Sequence, residues 1–302
     1  MTIRFDGQVA IVTGAGNGLG RSHALQLAAR GAKVVVNDLG GSVHGEGGSV
    51  SAAQAVVDEI VAAGGEAMAH GANVCKADEV ADMVKATMAK WGRIDILVNN
   101  AGILRDKSFA KMEESDWDAV IAVHLKGSEV CTKAVWEIMR EQNYGRIIMT
   151  TSSSGLYGNF GQSNYGAAKM ALVGFMNTLC LEGAKYNINV NCLSPVAATR
   201  MTENLMPEEM LAALKPELVT PAVLFMASKE GPNRAVIAAG AGGFARAVVL
   251  ETEGMAFREE DATPENIAAN WGTIADAATG KEYKGGNEQT IKFLTNAQKV
   301  RG

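Results

Sequence analysis

Short apolar runs alternate along the chain with longer segments whose apolar residues recur at helical spacing. The short runs have the length of buried strands, and the longer segments have the pattern of amphipathic helices. The pattern predicts strands at Val9–Thr13, Lys33–Asn37, Ala67–Asn73, Asp95–Asn99, Arg146–Thr150 and Asn189–Leu193. It predicts helices at Leu19–Ala29, Ala52–Ala63, Ala77–Lys90, Ser115–Gln142 and Tyr165–Tyr186.

Glycines mark the ends of two of these helices. Gly31 follows the first helix and Gly64 the second, which is the usual place for a helix-terminating glycine. Continuous apolar strands that alternate with helices are typical of a parallel sheet covered on both faces. The sequence therefore predicts an α/β fold with a doubly wound parallel sheet.

The end of the chain breaks this alternation. From Gly254 the sequence is polar, with short helical stretches, and Thr263 precedes Pro264 as an N-cap precedes the first helical residue. A separate domain of this size would bury too little surface to be stable alone. We expect residues 1–253 to form the main domain and 254–302 to form a helical extension packed on it or on a neighbouring subunit.

Composition and charge argue against several classes of protein. The 302 residues are 47% hydrophobic and carry a net charge of −5, which provides no basic surface for nucleic acid or membrane. No apolar run reaches the roughly 20 residues of a membrane span. We predict no metal site and reduced core thiols, because these scattered cysteines form no CxxC pair: Cys75, Cys131, Cys180 and Cys192.

The two ends of the sequence bear on location. The N-terminus enters a strand without a signal-peptide layout, and the chain ends in KVRG, without an SKL-type peroxisomal address. We therefore expect a cytoplasmic protein.

A glycine-rich turn, TGAGNGLG at Thr13–Gly20, joins the first strand to the first helix. Glycines let the backbone turn tightly and approach a pyrophosphate, which a helix N-terminus stabilises. Such a turn alone fits an ordinary loop equally well. However, Asp38 ends the next strand, where a carboxylate can accept ribose hydroxyls. Together they predict a dinucleotide site with contacts at Asp38, Gly14, Asn17, Gly18, Leu19 and Gly20.

Asp38 also favours one cofactor. A 2′-phosphate within about 4 Å of it would be repelled by roughly 4 kcal/mol per unit of charge at an effective dielectric constant of 20. The turn contains no basic residue, and we expect the first helix to carry Arg21 away from that phosphate position. The sequence therefore predicts NAD rather than NADP. The glycines at Gly40–Gly48 are not explained by NAD binding, and a surface loop is the simpler interpretation, with contacts from His44 or Glu46 left open.

A tyrosine, a lysine and upstream hydroxyls form the second candidate set. Tyr165 and Lys169 are four residues apart and share one helix face, and the cluster Thr150–Ser154 follows the fifth strand at the ligand-binding end of the sheet. An ammonium about 4 Å from a phenol supplies the roughly 4 kcal/mol that lowers the phenol pKa from about 10 to about 7. The tyrosinate could then take an alcohol proton while a hydride passes to a nicotinamide.

Three motifs, in this order, resemble the short-chain dehydrogenase/reductase family. They are TGxxxGxG at Thr13–Gly20, NNAG at Asn99–Gly102 and YxxxK at Tyr165–Lys169. The resemblance covers about Phe5 to Ala247. It implies a Rossmann-like fold, a nicotinamide cofactor and oxidation of an alcohol or reduction of a ketone. It also implies a homodimer or homotetramer, formed through the long helices near residues 115–142 and 165–186.

The same resemblance implies residue roles. Ser152, Tyr165 and Lys169 would be catalytic, and Ser152 is chosen among the serines because it lies thirteen residues before Tyr165, the usual spacing in the family. Ser152 and Tyr165 would also hold the substrate. The further cofactor contacts that it implies are Asn73, Val74, Asn100, Ala101, Gly102, Tyr165, Lys169 and Thr199.

Longer stretches are similar to one subgroup, the (3R)-hydroxyacyl-CoA dehydrogenase unit of peroxisomal multifunctional enzyme type 2. They read VVVNDLGG, NNAGILRDKSFAKM, YGRIIMTTSSSGLYGNFGQSNY, MTENLMPEEMLAALKPE and TPENIAANW. This resemblance implies NAD-dependent oxidation of a (3R)-3-hydroxyacyl-CoA. The alternatives are a hydroxysteroid or other secondary-alcohol dehydrogenase and, less favoured because of Asp38, a 3-oxoacyl-carrier-protein reductase. A regulator that binds nucleotide without catalysis is disfavoured by the intact Ser152, Tyr165 and Lys169.

Three further features have two interpretations each. His124 stands in VHLKG where the family usually has asparagine, and is either a subgroup feature or a structural histidine. Arg105 and Lys107 follow the fourth strand and either meet coenzyme A phosphates or lie in a solvated loop. A helix near residue 202 forms a substrate lid or packs in the core, and its apolar residues are Leu205, Met206, Met210 and Leu211.

Overall fold

A computed structural model describes residues 2–41, 51–198 and 213–301. The chain divides into two compact units, Met1–Arg246 and Ala247–Gly302. The strands are β1 (Val9–Thr13), β2 (Lys33–Asn37), β3 (Glu66–His70), β4 (Ile96–Asn99), β5 (Gly145–Thr150), β6 (Ile188–Val196), β7 (Val236–Gly240) and β8 (Gly243–Ala247). They form one sheet in the order β3-β2-β1-β4-β5-β6-β7-β8.

The strand order reverses beside β1. Strands β1 to β7 pair in parallel, and Val12 of β1 lies opposite both Val36 of β2 and Val98 of β4. From β1 the chain moves outward to β2 and β3, and then crosses to β4 on the other side. Ligands of such sheets bind at this switch point, outside the carboxyl ends of the strands.

Helices cover both faces of the sheet. All five residues of β1 are buried although successive side chains point to opposite faces. On one face, Val12 packs in a core with Leu27, Val56 and Val223. The helices of the first unit are α1 (Gly18–Ala29), α2 (Ser51–Ala62), α3 (Ala77–Trp91), α4 (Glu114–Ile121), α5 (Gly127–Gln142), α6 (Ser153–Tyr157), α7 (Ser163–Gly183) and α8 (Thr220–Ala227). The predicted doubly wound α/β fold is confirmed.

Most predicted elements lie within a few residues of the observed ones, but β7, β8, α6 and α8 were not predicted. The α8 segment, TPAVLFMA, is apolar all round, so it lacks the one-sided spacing that identifies a helix. The strands β7 and β8 are rich in alanine and glycine, which are poor strand formers. Between them, Ala241 and Gly242 have φ of 48° and 78°, as a type I′ hairpin turn requires.

The predicted long helix over Ser115–Gln142 is present, but it is not α-helical throughout. A π-helical turn at Ala122–Lys126 separates α4 from α5. The carbonyl of His124, within this wider turn, accepts a hydrogen bond from the Ser128 hydroxyl at 2.6 Å. A π turn adds a residue without interrupting the run of helical hydrogen bonds, so the apolar spacing does not reveal it.

The prediction of four core thiols is wrong for one of them. Cys131, Cys180 and Cys192 are buried and free, whereas Cys75 is free but half-buried, after β3. Burial raises the pKa of Cys131 and Cys192 to about 12, so both are inert thiols at neutral pH.

The second unit contains α9 (Pro264–Ala269), α10 (Trp271–Ile274) and α11 (Gly286–Arg301). The predicted cap of α9 is confirmed, because the Thr263 hydroxyl accepts from the backbone N–H of Asn266 at 3.2 Å. Lys292 of α11 is tied to the segment before α9 through Glu251, at 2.8 Å. Across the described ranges of the chain, no helix combines the length and the apolar character needed to cross a membrane.

Candidate active site

A cavity of about 620 Å³ opens at the carboxyl ends of the central strands. Its walls include most of the predicted site residues, namely Gly14, Asn17, Gly18, Leu19, Asp38, Asn73, Val74, Asn100, Ala101, Gly102, Ser152, Tyr165 and Lys169. Gly20 is not in the wall. Thr199, the helix near residue 202 and residues 42–50, including His44 and Glu46, lie outside the described residues.

The glycine turn is closely packed against β4 and the start of α1. Gly14 and Gly18 have φ of 62° and 54°, which glycine adopts without strain. A Cβ on Gly14 would lie 2.8 Å from the Cα of Ala101, and a Cβ on Gly20 would collide with the carbonyl oxygen of Gly14. Gly20 therefore serves the packing of α1 against the turn rather than the wall of the cavity.

Gly20→Ala should destabilise the protein by about 1–3 kcal/mol, because the methyl group has no room beside the Gly14 carbonyl. Gly174→Ala is the matched control: Gly174 is an exposed helical glycine with open space around it, so alanine should stabilise the protein by up to about 1 kcal/mol. Urea unfolding of both variants measures the difference. Equal stabilities would contradict the close packing of the turn.

Asn100 and Thr13 bind the turn to β4. The Asn100 side-chain amide donates to the carbonyls of Thr13 and Gly14, both at 3.0 Å. The Thr13 hydroxyl accepts from the N–H groups of Asn100 and Ala101 at 3.0 and 3.1 Å. Both hydrogens of the Asn100 side-chain amide therefore hold the two strand ends together. The side-chain oxygen Oδ1 is the atom left for a ligand.

Asp38 is fixed at the end of β2 by backbone donors. Its two carboxylate oxygens accept from Gly16 N–H at 2.8 Å and from Gly40 N–H at 2.7 Å. Each oxygen keeps capacity for a further hydrogen bond, as ribose hydroxyls would need. Arg21 of α1, the cation nearest in sequence to the glycine turn, is paired with Glu59 of α2 at 2.5 Å.

Ser152, Tyr165 and Lys169 converge where β5 ends. Lys169 is buried, and its ammonium nitrogen donates to the carbonyl of Thr150 at 2.6 Å and lies 5.4 Å from the centre of the Tyr165 ring. The Ser152 hydroxyl caps α6 by accepting from Ser154 N–H at 3.2 Å. The structure thus brings the three predicted residues together at one end of the cavity.

Burial controls the charges of this group. It raises the pKa of the Tyr165 phenol, while the Ser152 side chain lowers that pKa. Burial also lowers the pKa of Lys169 to about 7. The sequence-based expectation that the lysine brings the phenol pKa down towards 7 is therefore wrong for the protein alone, because that estimate counted the lysine charge and omitted desolvation of both groups.

The low pKa of Lys169 predicts pH-dependent stability. In the unfolded chain the lysine keeps its proton up to its ordinary value of 10.5, but in the folded protein only to about 7. Between these values the unfolded state binds more protons, so the free energy of unfolding should rise with pH, by at most about 1.4 kcal/mol per pH unit. Wild type should gain stability over Lys169→Met across this window, measured by urea unfolding. The exposed control Lys133→Met should follow wild type, and parallel curves for Lys169→Met would contradict the assignment.

Gln162 is a site residue that the sequence reasoning missed. It is 9% exposed and lines the cavity just before α7. Its amide oxygen accepts from the Ser154 hydroxyl at 2.8 Å, and its amide nitrogen donates to Asp106 at 2.7 Å. A glutamine in a glycine-rich loop carries no periodic signal. Its position three residues before Tyr165 was the only available indication.

The two cations after β4 differ in position. Arg105 lines the cavity, whereas Lys107 is not in its wall and is paired with Asp116 at 2.8 Å. For Lys107 the interpretation as a surface charge is therefore favoured. For Arg105, which lines the cavity, contact with a ligand remains the prediction.

Comparisons with known proteins agree with this architecture. The family model described as short chain dehydrogenase matches residues 8–210. The peroxisomal hydratase-dehydrogenase-epimerase of Neurospora crassa is 46% identical over 301 residues, which cover 99% of this chain and 33% of that protein. The structure of full-length peroxisomal multifunctional enzyme type 2 from Drosophila melanogaster superposes with a TM-score of 0.83 at 39% identity, covering 99% of this chain and 51% of that one.

A more distant structure carries ligands. It is 7α-hydroxysteroid dehydrogenase complexed with NADH and 7-oxo glycochenodeoxycholic acid, with a TM-score of 0.71 and 28% identity, covering 80% of this chain and 96% of that one. The chain spans 33% to 61% of the length of the first curated relatives that it matches.

The relatives contradict the expected cytoplasmic location. Four that are 46–49% identical, from a slime mould, a mouse, a fungus and a fly, have names beginning with the word peroxisomal. Net charge and cysteine content do not distinguish these compartments, and a short targeting address is read by a receptor rather than by the fold. The expectation rested on the two ends of the given sequence, and the chain spans only 33% to 61% of the length of these relatives.

The fold, the site and the relatives lead to one family. The glycine turn, the NNAG segment and the Tyr165–Lys169 pair lie in one cavity at the switch point of the sheet. The family model covers the strands and helices that place them. The chain belongs to the short-chain dehydrogenase family, whose members are oxidoreductases acting on CH–OH groups.

Proposed function

We propose that the chain uses NAD⁺ to oxidise a 3-hydroxyacyl-CoA, of (3R) configuration, to the 3-oxoacyl-CoA. The observation that carries the proposal is that one cavity joins Asp38 to Ser152, Tyr165 and Lys169. Asp38 ends β2 and the other three gather at β5, three strand spacings away, or about 14 Å. An extended dinucleotide bridges such a distance. The multifunctional relatives, one of them named for a dehydrogenase activity, support the substrate class.

The residues of the cavity fit NAD. The glycine turn leaves backbone N–H groups at the start of α1 accessible to a pyrophosphate, which the helix dipole favours. Asp38 accepts the ribose hydroxyls and repels a 2′-phosphate, and Arg21 is held by Glu59. We propose NAD rather than NADP on this balance of charges.

The chain's own residues divide the reaction between them. A bound nicotinamide would supply the acceptor for the hydride of the substrate carbon. The Ser152 hydroxyl holds the substrate oxygen, and Tyr165 takes the hydroxyl proton as general base. Lys169 stabilises the tyrosinate by its charge, and its pKa of about 7 lets it exchange a proton near neutral pH. The charge of the protonated lysine would offset part of the desolvation that raises the pKa of Tyr165.

Assembly and location belong to the same proposal. The long helices α5 and α7 would form the faces of a homodimer or homotetramer, and exposed Met170 and Leu181 on α7 support this. The extension after residue 253 would pack on the main domain or a neighbouring subunit. The names of the relatives support a peroxisomal setting, which fluorescence microscopy of the tagged protein would test. Light scattering after size-exclusion chromatography would measure the oligomeric state.

A hydroxysteroid or other secondary-alcohol dehydrogenase is the second candidate. The hydroxysteroid dehydrogenase with the same fold favours it. A reductase of 3-oxoacyl-carrier-protein is the third, since a Synechocystis protein of that name is 48% identical over 228 residues. Both use the same Ser152, Tyr165 and Lys169 chemistry, so the substrate decides between them.

The test is a substrate panel followed by the absorbance of NADH. Purified protein is mixed with NAD⁺ or NADP⁺ and with (3R)- or (3S)-3-hydroxyacyl-CoA of several lengths, hydroxysteroids or simple secondary alcohols. We expect the highest kcat/KM for NAD⁺ with a (3R) thioester. A higher value for a steroid, or for NADPH with a 3-oxoacyl-carrier-protein, would replace the proposal with the corresponding alternative. Tight NADH binding without turnover would indicate a nucleotide-binding regulator.

A further inference from the structure

His124 is a buried residue of the cavity to which the proposed reaction assigns no role. Its side chain is in the wall of the cavity and the residue is 2% exposed. It sits in the π-helical turn Ala122–Lys126, and such turns occur frequently at functional sites. Its Nδ1 atom is buried and has no hydrogen-bond partner among the described residues. A buried polar atom without a partner requires an explanation.

The backbone of Ile103 fixes the imidazole ring. The Nε2 atom of His124 lies 2.8 Å from the carbonyl oxygen of Ile103 and 3.1 Å from its nitrogen. One ring nitrogen either donates or accepts, so the two contacts correspond to different tautomers. We assign the proton to Nε2 because the contact with the carbonyl is the shorter one, and this assignment leaves Nδ1 with a free lone pair. Burial and the charge of Lys169 hold the pKa of His124 well below its usual range, so the ring is neutral.

The ring also contacts Tyr165. The two rings lie edge to face, with centroids 5.1 Å apart and an interplanar angle of 88°. Such a contact fixes the plane of the phenol. The neutral ring adds no positive charge beside Lys169. A positively charged histidine would disfavour the protonated form of that lysine.

Gly102 leaves the space that this ring occupies. A Cβ on Gly102 would collide with the Cε1 atom of His124 and lie 3.1 Å from its Nδ1 atom. Gly102 has no positive φ in the described structure, so the ring rather than the backbone conformation demands a glycine there.

We propose that His124 is a positioning residue of the reaction, whose ring holds Tyr165 edge-on and whose Nδ1 atom offers a neutral hydrogen-bond acceptor in the cavity wall beside Lys169. The inference rests on the proposed function, since it assigns His124 to the proton transfer that Tyr165 performs. A residue that only fills the core would not need either ring nitrogen, so substitutions that remove the nitrogens distinguish the two roles.

Two substitutions separate the nitrogen from the ring. His124→Phe keeps the ring edge against Tyr165 and removes both nitrogens, while His124→Asn keeps a donor for Ile103 and an acceptor but removes the ring. We expect His124→Phe to lower kcat about 100-fold, as a displaced catalytic group does, with KM and the Kd of NADH changed by less than about twofold. His124→Asn should recover at least about tenfold of that loss, because its amide supplies both polar functions.

A double-mutant cycle tests the pairing with Gly102. Gly102→Ala should lower kcat in wild type, and should cost much less in the His124→Asn background, where the smaller side chain makes room. This cycle carries the test if His124→Phe does not fold, which the melting temperature reports. Equal costs in both backgrounds, or a kcat of His124→Phe within about twofold of wild type, overturn the proposal.

A readout that needs no substrate separates this proposal from the proposed function. The ¹⁵N NMR signals of the imidazole nitrogens, assigned with His124→Asn, report protonation directly. We expect a neutral ring with its proton on Nε2 near pH 7. A charged ring or a proton on Nδ1 overturns the positioning role even in an active enzyme. Wild type that turns over no alcohol, with a neutral Nε2-protonated ring, refutes the proposed function instead.

Discussion

Replacing Tyr165 with phenylalanine should lower kcat by about 1000-fold, the middle of the range for removing a general base. Among the described residues of the cavity, the phenol is the one group that combines a proton-accepting oxygen with contacts to Ser152, Lys169 and His124. The ring itself remains, so the contact with His124 and the packing of α7 persist. The Kd of NADH, measured by fluorescence titration, and the melting temperature should therefore stay near their wild-type values.

Tyr157→Phe is the control for this substitution. Tyr157 ends α6 and is 76% exposed, so losing its hydroxyl should leave kcat and stability unchanged. If Tyr165→Phe retained a rate close to that of Tyr157→Phe, the proton would have to pass to another group and the proposed mechanism would be wrong. A lower rate accompanied by a lower melting temperature would point to misfolding, which the NADH titration would reveal.

Replacing Asp38 with asparagine should change the preference between NAD⁺ and NADP⁺ by about 100-fold, measured as the ratio of the two kcat/KM values. The full Coulomb repulsion of a 2′-phosphate would correspond to roughly 1000-fold at 4 Å, and solvent screening of this half-buried carboxylate reduces it. NADP⁺ should gain because the repulsion is removed. NAD⁺ should lose because the ribose hydroxyls meet a weaker acceptor.

The comparison needs an acidic control outside the cavity wall. Asp58 lies on α2 and is exposed, and Asp58→Asn should leave the cofactor ratio unchanged. Raising the salt concentration should shrink the effect of Asp38→Asn, since an exposed part of the repulsion is screened. An unchanged ratio in Asp38→Asn would mean that other groups select the cofactor.

Much of this architecture can be predicted from the sequence, because it depends on the local pattern of apolar and polar residues. The runs Val9–Thr13 and Lys33–Asn37 have apolar centres and form strands with those bounds. Residues at strand ends follow from the parallel topology, which is why Asp38 and Ser152 could be placed in one crevice in advance. The convergence of Tyr165 and Lys169 follows from their spacing on one helix.

Properties that depend on how one element of the fold buries another could not be predicted from the sequence. The pKa of Lys169 is set by helices and strands that surround it in space, and its sequence neighbours gave no indication of that environment. Gln162 became a site residue through contacts with Ser154 and Asp106, two residues that lie far from each other in the sequence. The helix α8 was not predicted because even its exposed residues, Pro221 and Phe225, are apolar, so it lacks a polar face.

The π turn at Ala122–Lys126 has a consequence for how this region tolerates change. It holds one residue more than an α-helical path between α4 and α5 would need. A deletion of one residue there would let the two helices merge and would keep their apolar faces. The remaining residues of the turn would take α-helical spacing, about 100° from one to the next, and His124 would leave the cavity. An engineered or naturally shortened chain would therefore have to keep the length of this turn, whereas the identity of the surrounding residues is less restricted.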